Sequence, residues 1–282
     1  MEKVTVRVPA STSNLGPGFD CLGLALRLYN EVTITRGRSN APHELICCAA
    51  DKFFTRSGTR PFAFSCTIRG HVPLARGLGS SATLRLGALC CFNELTSRRL
   101  SREELFELCA ELEGHPDNAA PAAFGGFNVI AAGYRQRFPI ASRLRVVLLV
   151  PDFEVRTTAA RKLLPPTVPH SDAVRNAANV ARIAAGFCSG DFEQLRGAFA
   201  DYLHQPFRKQ LVPRFDEIVA AAESAGALGA FLSGSGSTIA ALTLDAPRRV
   251  AAAMHEAAQN PGAITIITST DNRGARLLRP NE

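Results

Sequence analysis

The chain has 282 residues, of which 46% are hydrophobic and 20% charged, and this composition excludes disordered and fibrous proteins. Its length accommodates one large domain or two of medium size, and it contains no apolar run long enough to cross a bilayer. The net charge of +7 is compatible with nucleic acid or with small anionic ligands. Because the arginines are scattered and the chain has no tryptophan and only 3 tyrosines for base stacking, we expect small anionic ligands and no nucleic-acid partner.

The N-terminus and the cysteines indicate the cellular compartment. The first residues lead directly into a strand pattern and lack the apolar core of a signal peptide, which predicts a cytoplasmic protein with no membrane partner. None of the 8 cysteines shows Cys-x-x-Cys spacing, so we expect no zinc site. We interpret the cysteines as small, buried, apolar side chains.

Alternating valines near the N-terminus predict a first strand that ends at Pro9. A polar loop that contains two glycines follows at residues 10–20 and is called here the N-terminal loop. The next predicted elements are a short apolar segment at 21–28, a strand at 30–35 and a helix at 41–54.

The N-terminal loop carries polar side chains between two apolar segments. Asn14 and Asp20 stand beside Gly16 and Gly18, in a position where polar side chains cost free energy unless they meet a partner. The spacing alone favours turn formation, in which asparagine, glycine, proline and aspartate serve the backbone. A binding role for the two polar side chains is the alternative.

A strand, a glycine-containing loop and a helix then occur in direct succession. Alternating apolar residues at 62–68 predict the strand, and the apolar residues 82–95 predict the helix. The segment called here the glycine loop consists of Pro73, Leu74, Ala75, Arg76, Gly77, Leu78, Gly79, Ser80, Ser81, Ala82 and Thr83.

The glycine loop has the features of a polyphosphate site. Gly77 and Gly79 allow a tight turn and a close approach of the backbone to a ligand. We expect Ser80 or Ser81 to cap the helix, whose first amides carry partial positive charge. Arg76 adds a cation that can hold phosphate oxygens. The loop lacks the Lys-Ser/Thr of a P-loop and does not read Gly-x-Gly-x-x-Gly, and an ordinary capped helix is the alternative interpretation.

A second polar cluster lies at the end of the next predicted helix. Ser101 and Glu104 predict a capping box that opens this helix, and Gly114 and Pro116 end it. The cluster consists of Glu111, Glu113, His115, Asp117 and Asn118. A solvated helix end explains the glycine and the proline. The small apolar run at 119–124 instead indicates burial, and favours a site with a Mg²⁺-binding carboxylate and hydrogen bonds to a polar substrate.

The second half of the chain alternates helices with strands. Pro151 and Asp152 mark the expected domain junction, which divides the chain into residues 1–150 and 151–282. Helices are expected at 171–187, 191–203 and 213–225, and strands at 125–130, 145–150, 230–232, 238–244 and 264–268. The segment Ser-Gly-Ser-Gly-Ser-Thr at residues 233–238 is called here the serine loop. Strands and helices in both halves predict an α+β protein of two domains.

Four segments together resemble the signatures of the GHMP kinases, and within that family those of the homoserine kinases. The glycine loop reads Pro-x-x-x-Gly-Leu-Gly-Ser-Ser-Ala, which is the phosphate loop of the family. The end of the first strand and the N-terminal loop resemble Pro-Ala-Ser-Ser-Ala-Asn-Leu-Gly-Pro-Gly-Phe-Asp, and residues 113–118 read Glu-Gly-His-Pro-Asp-Asn. The serine loop resembles Ser-Gly-Ala-Gly-Pro-Thr, with Ser237 in place of the proline. The likeness therefore spans almost the whole chain.

The resemblance implies a fold and an activity. The implied fold is the two-domain α+β fold of GHMP kinases, in which an N-terminal ATP-binding domain resembles the second domain of ribosomal protein S5 and the C-terminal domain is ferredoxin-like. The implied reaction is the ATP-dependent phosphorylation of the side-chain hydroxyl of L-homoserine to O-phospho-L-homoserine, a transferase step of threonine biosynthesis. ATP and Mg²⁺ are the implied cofactors, and the family tends to form homodimers.

The resemblance also implies roles for individual residues. The glycine loop would bind ATP, with Arg76 acting in catalysis. Asp20 would face the ammonium group of the amino-acid substrate, and two arginines would grip its carboxylate. The implied substrate-binding residues are Asn14, Asp20, His115, Asp117, Arg161 and Arg208. The segment before Arg161 departs from the family pattern, because it lacks the usual lysine and glutamate.

The resemblance does not fully specify the metal ligands or the general base. Either Glu111 or Glu113 would bind Mg²⁺ together with Ser81, and the spacing does not decide between the two glutamates. Asn118, assigned to catalysis, stands near the point where relatives such as mevalonate kinase have an aspartate base. No general base is evident, which leaves transfer of the hydroxyl proton to the phosphate itself.

Three alternatives are open at this point. Another GHMP kinase for a small alcohol would not need two arginines and an acid for a zwitterion. A basic RNA-binding protein would show a continuous basic stripe and would have no use for the acidic cluster. A non-catalytic nucleotide-binding relative would tolerate damage in the glycine loop, which is intact here.

Overall fold

The computed structural model describes residues 2–37 and 43–278. The strands of these residues are β1 Lys3–Ser13, β2 Leu22–Arg36, β3 Phe64–Gly70, β4 Phe127–Ala131, β5 Tyr134–Phe138, β6 Arg145–Val150, β7 Gly229–Leu232, β8 Ile239–Thr243, β9 Ile264–Ser269 and β10 Arg276–Leu277. The helices are α1 Glu44–Ser57, α2 Ser80–Leu95, α3 Arg102–Glu113, α4 Ala119–Phe124, α5 Thr157–Lys162, α6 His170–Ser189, α7 Gln205–Arg208, α8 Phe215–Ser224 and α9 Pro247–Ala258. Single 3-10 turns form at Phe192–Leu195 and Lys209–Leu211.

The first sheet carries the helix that follows the glycine loop. Its strand order is β10-β1-β2-β4-β5, β3 also pairs with β2, and all of its pairs are antiparallel. Helix α2 packs on β1 and β2 through a core that includes Val8, Val32 and Phe92. Burial of these side chains supplies the main free energy that holds α2, because α2 is apolar around most of its circumference.

The second sheet has the order β7-β8-β6-β9 and is also antiparallel. Helices α8 and α9 pack against it through Ile218, Val250 and Met254. Strand β6 belongs to this sheet, so the chain enters the second sheet before Pro151. The division of the chain at residue 150 stays a prediction.

Several predicted boundaries in the first half are wrong. Strand β1 does not end at Pro9 but continues to Ser13, with a register shift between Pro9 and Ala10. A proline lacks the amide donor of a regular ladder and is tolerated at such an irregularity. Residues 21–28 and 30–35 belong to one long strand, β2. Residues 41 and 42 of the predicted helix at 41–54 lie outside the described residues, and the described helix extends to Ser57.

The helix predicted at 191–203 is also wrong. Only the turn at Phe192–Leu195 forms there, and Gly197 adopts a positive φ of 73° that ends any helical path. The predicted capping box of α3 is confirmed, since Ser101 and Glu104 each bond the other's backbone amide. Gly114 ends α3 in the left-handed conformation, as expected.

The cysteines vary more in burial than expected. Cys91 and Cys109 are buried, but Cys48 and Cys188 are exposed, which corrects the interpretation of all eight as buried apolar side chains. Burial raises the pKa of the Cys90 thiol to about 12, so this thiol is protonated at neutral pH. Among the described residues, no helix combines the length and the apolar character needed to span a bilayer.

Candidate active site

A cavity of about 460 Å³ lies where the loops of the two sheets meet. It is lined by Asn14, Asp20, Arg76, Gly77, Gly79, Ser80, Ser81, Glu113, His115, Asp117, Asn118, Arg161, Arg208 and Gly234, among others. Residues predicted from five separate segments therefore share one space. Four members of the glycine loop do not line the cavity: Leu78, Ala82 and Thr83 are buried in the protein, and Pro73 is partly buried.

The glycine loop takes its shape from a close contact with the serine loop. A Cβ atom at Gly77 would overlap the carbonyl oxygen of Ser233, and one at Gly79 would overlap the hydroxyl of Ser11. Ser233 Oγ donates to the carbonyl of Gly77 at 2.6 Å and lies 2.8 Å from Thr12 Oγ1. Because both glycines also have positive φ, only glycine fits these two positions without strain.

The N-terminus of α2 is left open toward the cavity. Gly79 is the N-cap residue, and no side chain of the described residues caps the helix, so the expectation that Ser80 or Ser81 would cap it is wrong. Ser81 Oγ instead donates to Glu113 Oε2 at 2.6 Å. Ser80 Oγ is buried and has no hydrogen-bond partner among the described residues. Uncapped first-turn amides and a buried, unpaired hydroxyl are the donors that a phosphate group requires.

The guanidinium of Arg76 faces the polypeptide. Its Nε donates to the carbonyl of Pro151 and its Nη2 to the carbonyl of Asp152, each at 3.0 Å. A carboxylate oxygen of Glu154 lies 3.4 Å from its Nη1. These contacts fasten the glycine loop to the segment that follows β6. They differ from the expected arrangement, in which the guanidinium was free to hold phosphate oxygens.

The two glutamates of the acidic cluster occupy different environments. The Glu113 side chain is 6% exposed, lines the cavity, and pairs with Arg85 Nη1 at 2.5 Å as well as with Ser81. Glu111 lies on the surface and pairs with Lys52 and Arg56 at 2.8 and 2.9 Å. The hydrogen bond from Lys52 is the main cause of the lowered pKa of Glu111. Only Glu113 is placed to meet a ligand in the cavity.

Asn118 is held in one orientation by two serines. Ser11 Oγ donates to Asn118 Oδ1 at 2.8 Å, and Asn118 Nδ2 donates to Ser13 Oγ at 3.0 Å. Both serines are fully buried at the end of β1. The side-chain amide therefore presents a fixed face beside the glycine loop. Ser11 and Ser13 were missed as site residues, because nothing local in the sequence shows that a strand end meets Asn118.

Opposite charges face each other on the part of the cavity wall that is called here the charged end, which consists of Asp20, Arg161 and Arg208. Arg161 donates to both carboxylate oxygens of Asp20, at 2.6 and 2.9 Å. This hydrogen bonding is the main reason that the pKa of Arg161 is raised. Arg208 is 2% exposed, and its Nε has no hydrogen-bond partner in the described part of the chain. Burial, and next the charge of Arg161, lower the pKa of Arg208 to about 10, so it remains cationic at neutral pH.

Asn14 serves the backbone, as the turn interpretation predicts. Its Oδ1 accepts from the amide of Asp20 and its Nδ2 donates to the carbonyl of Gly234, both at 3.0 Å. Asn14 and Asp20 adopt positive φ of 70° and 58°, which these residue types tolerate better than most. Asn14 thereby joins the N-terminal loop to the serine loop and sets the position of Asp20.

His115 and Asp117 form a pair on the cavity wall. Their Nδ1 and Oδ1 atoms lie 2.7 Å apart, and Asp117 is 2% exposed. Burial alone lowers the pKa of His115, but the hydrogen bond and the charge of Asp117 together outweigh it and raise the net value above 6.5. The imidazole is therefore more easily protonated than a free histidine.

Two models of one known protein family match this chain. The family model "GHMP kinases N terminal domain" matches residues 44–126, and "GHMP kinases C terminal" matches residues 183–260. The fold and the glycine-loop cavity thus define the class of the protein as a GHMP kinase.

Relatives at the level of the whole chain narrow this class. The homoserine kinase of Carboxydothermus hydrogenoformans is 40% identical over 96% of this chain and 96% of its own, and that of Microchaete diplosiphon is 39% identical over 99% and 98%. The crystal structure of homoserine kinase from Cytophaga hutchinsonii superposes with a TM-score of 0.90 at 26% identity, covering 99% of this chain and 98% of that one. The chain belongs to the homoserine kinase family. The resemblance inferred from the four motifs and the two-domain α+β fold are both confirmed.

The pairing of His115 with Asp117 predicts a measurable pKa change. In Asp117→Asn the charge is lost while burial remains, so we expect the pKa of His115 to fall below its value in the unmodified protein. An NMR titration of the His115 ring protons, assigned with His115→Gln, measures this, and Asp51→Asn on the surface is the control. Since the folded pKa is raised, the pair stabilises the fold below pH 6.5, and this stabilisation is lost as pH rises through the folded value. An unchanged His115 titration in Asp117→Asn would contradict the assignment.

Proposed function

We propose that this protein is an ATP-dependent homoserine kinase, which transfers the γ-phosphoryl group of ATP to the side-chain hydroxyl of L-homoserine and so serves threonine biosynthesis. The observation that carries the proposal is the single cavity that joins the uncapped end of α2 to the charges of Asp20, Arg161 and Arg208. The names of the full-length relatives support the same reaction. The alternatives of another alcohol substrate, RNA binding or a non-catalytic role have no comparable support.

The phosphate groups of ATP would lie against the glycine loop. The first amides of α2 and the hydroxyl of Ser80, which have no partner within the described ranges, would supply donors there. Arg76 would act chiefly by fixing this loop and adding positive charge to it, since its Nε and Nη2 already donate to carbonyls. Leu45 and Leu74 provide apolar surface elsewhere on the cavity wall, suited to a nucleobase.

The amino-acid substrate would lie at the charged end. Homoserine carries an ammonium and a carboxylate, and Asp20 and the two arginines complement them. In the protein alone, Asp20 and Arg161 pair with each other. When the substrate binds, Asp20 would exchange Arg161 for the substrate ammonium, and Arg161 would exchange Asp20 for the substrate carboxylate. Because each charge stays paired, the desolvation cost of binding is lowered.

The residues present fit a Mg²⁺ site shared with phosphates. Mg²⁺ is commonly bound through one or two carboxylates together with substrate phosphate oxygens. Glu113 and Ser81 lie on the cavity wall, 2.6 Å apart at Oε2 and Oγ, and would hold the ion. When bound, the ion would neutralise part of the charge that phosphoryl transfer places on the phosphate oxygens.

The chain's own contribution to the reaction is positioning and charge. Asn118, oriented by Ser11 and Ser13, cannot accept a proton as a base, and we propose that its amide orients the hydroxyl or a phosphate oxygen. The hydroxyl proton would then pass to the transferred phosphoryl group. A cytoplasmic location and a homodimeric assembly stay predictions.

A panel of alcohols tests the proposed function. Coupled ADP release should show a kcat/KM for L-homoserine at least about a thousandfold above those for mevalonate and galactose, because buried charges left unpaired penalise the wrong substrate. Two matched controls dissect the charged end: 4-hydroxybutyrate lacks the ammonium and 3-amino-1-propanol lacks the carboxylate. We expect both to be poor substrates. Comparable turnover of mevalonate or galactose would overturn the assignment.

The two glutamates provide a matched pair of variants for the metal. Glu113→Gln should raise the Mg²⁺ concentration for half-maximal rate by about tenfold or more, since one carboxylate ligand is lost. Glu111→Gln should leave it unchanged, because this side chain pairs with Lys52 and Arg56 at the surface. The measurement is initial rate against Mg²⁺ at fixed ATP, with thermal unfolding as a check of folding. The reverse order of effects would assign the ion to Glu111.

A further inference from the structure

The ring of Phe19 contacts both arginines of the charged end. The guanidinium carbon of Arg208 lies 4.9 Å from the ring centroid, and that of Arg161 lies 5.2 Å from it. Both distances are within the range of a cation–π interaction. Phe19 itself does not line the cavity, so it acts on a ligand only through these two side chains.

The position of the Phe19 ring is fixed by His204. The ring stacks on the imidazole of His204 at 5.1 Å, and His204 Nε2 donates to the carbonyl of Gly16 in the same loop at 2.8 Å. His204 is fully buried, and burial lowers its pKa despite the neighbouring Asp201. The imidazole is therefore neutral at physiological pH, and it supports the ring without adding a third cation.

The two arginines have few other anchors. Among the described residues, the guanidinium of Arg208 makes one hydrogen bond, to the carbonyl of Gly234 at 3.3 Å. Arg161 is anchored by Asp20, which would itself turn to the substrate ammonium. The charges of Asp20 and Asp117 also act on both arginines. Among the described residues, Phe19 is the one aromatic ring within cation–π distance of both guanidinium groups, and it is an uncharged contact that the substrate would not compete for.

The two guanidinium groups also repel each other. The charge of Arg161 disfavours the charged form of Arg208, after burial the largest such effect. The face of an aromatic ring is electron-rich, so a ring beside two cations offsets part of this repulsion without forming a hydrogen bond that a substrate would have to break.

We propose that Phe19 is a positioning residue whose π face holds Arg161 and Arg208 together, so that both can bind the carboxylate of the substrate. The proposal rests on the proposed function, because the two arginines are its carboxylate ligands. It goes further in assigning the geometry of that subsite to an aromatic face in the N-terminal loop. A ring that only fills space would serve equally well whatever its electron density.

Fluorinated phenylalanines separate these two roles, because fluorine withdraws electron density from the ring with little change in size. We expect the KM for homoserine to rise stepwise from phenylalanine to mono-, di- and trifluorophenylalanine at position 19, by about fivefold to tenfold over the series. The KM for ATP and kcat should change by less than about twofold. Phe19→Tyr should keep the electron-rich face and a near-normal KM for homoserine. Phe19→Leu should raise this KM as much as the trifluoro variant does, or more.

The same series at Phe231, which stacks on Phe199 in the core, is the control and should leave the KM for homoserine unchanged. If the KM for homoserine does not change along the fluorinated series at position 19, and thermal unfolding is also unchanged, the proposal is overturned. Arg208→Ala distinguishes this failure from failure of the proposed function. If Arg208→Ala raises the KM for homoserine much more than that for ATP while fluorination has no effect, only the role of Phe19 is wrong. If Arg208→Ala affects both equally, the carboxylate subsite itself is misplaced.

Discussion

The backbone of the glycine loop lies against the backbone of the serine loop at Gly77 and Ser233, and the arrangement of the active site depends on this contact. The first loop follows a strand of one sheet, and the second joins two strands of the other. Hydrogen bonds from Ser233 Oγ to the Gly77 carbonyl and from the Thr238 amide to the Arg76 carbonyl hold the two together. Phosphoryl transfer depends on positioning and on stabilisation of charge. In the proposed arrangement, this contact would fix the phosphate-binding part of the cavity relative to the substrate-binding part.

The charged end of the cavity is built at a cost to stability. Arg208 is almost completely buried, its Nε has no partner among the residues that the structure describes, and it lies near the like charge of Arg161. A buried and incompletely paired charge destabilises a fold, whereas a ligand that completes the pairing recovers that free energy as binding. Such a group would be unfavourable in an ordinary core, whereas at the proposed site for a zwitterion the bound substrate would offset its cost.

Local patterns predicted the parts of the site that local chemistry builds. The glycine loop, the capping box of α3 and the end of that helix at Gly114 follow from neighbouring residues. The predictions are wrong where a residue distant in the sequence determines what a side chain contacts. Ser81 does not cap α2 because Glu113, far along the chain, takes its hydroxyl, and Arg76 is turned by the carbonyls after β6. The short helix α5 that carries Arg161 has no strong pattern of its own.

The central claim is that the uncapped end of α2 binds the phosphates while the charged end holds the amino acid. A crystal structure with Mg²⁺, a nonhydrolysable ATP analogue and L-homoserine tests it most directly. The account predicts phosphate oxygens at the amides of Ser80 and Ser81, and the homoserine carboxylate between Arg161 and Arg208. A nucleotide bound elsewhere, with the glycine loop empty, would contradict it.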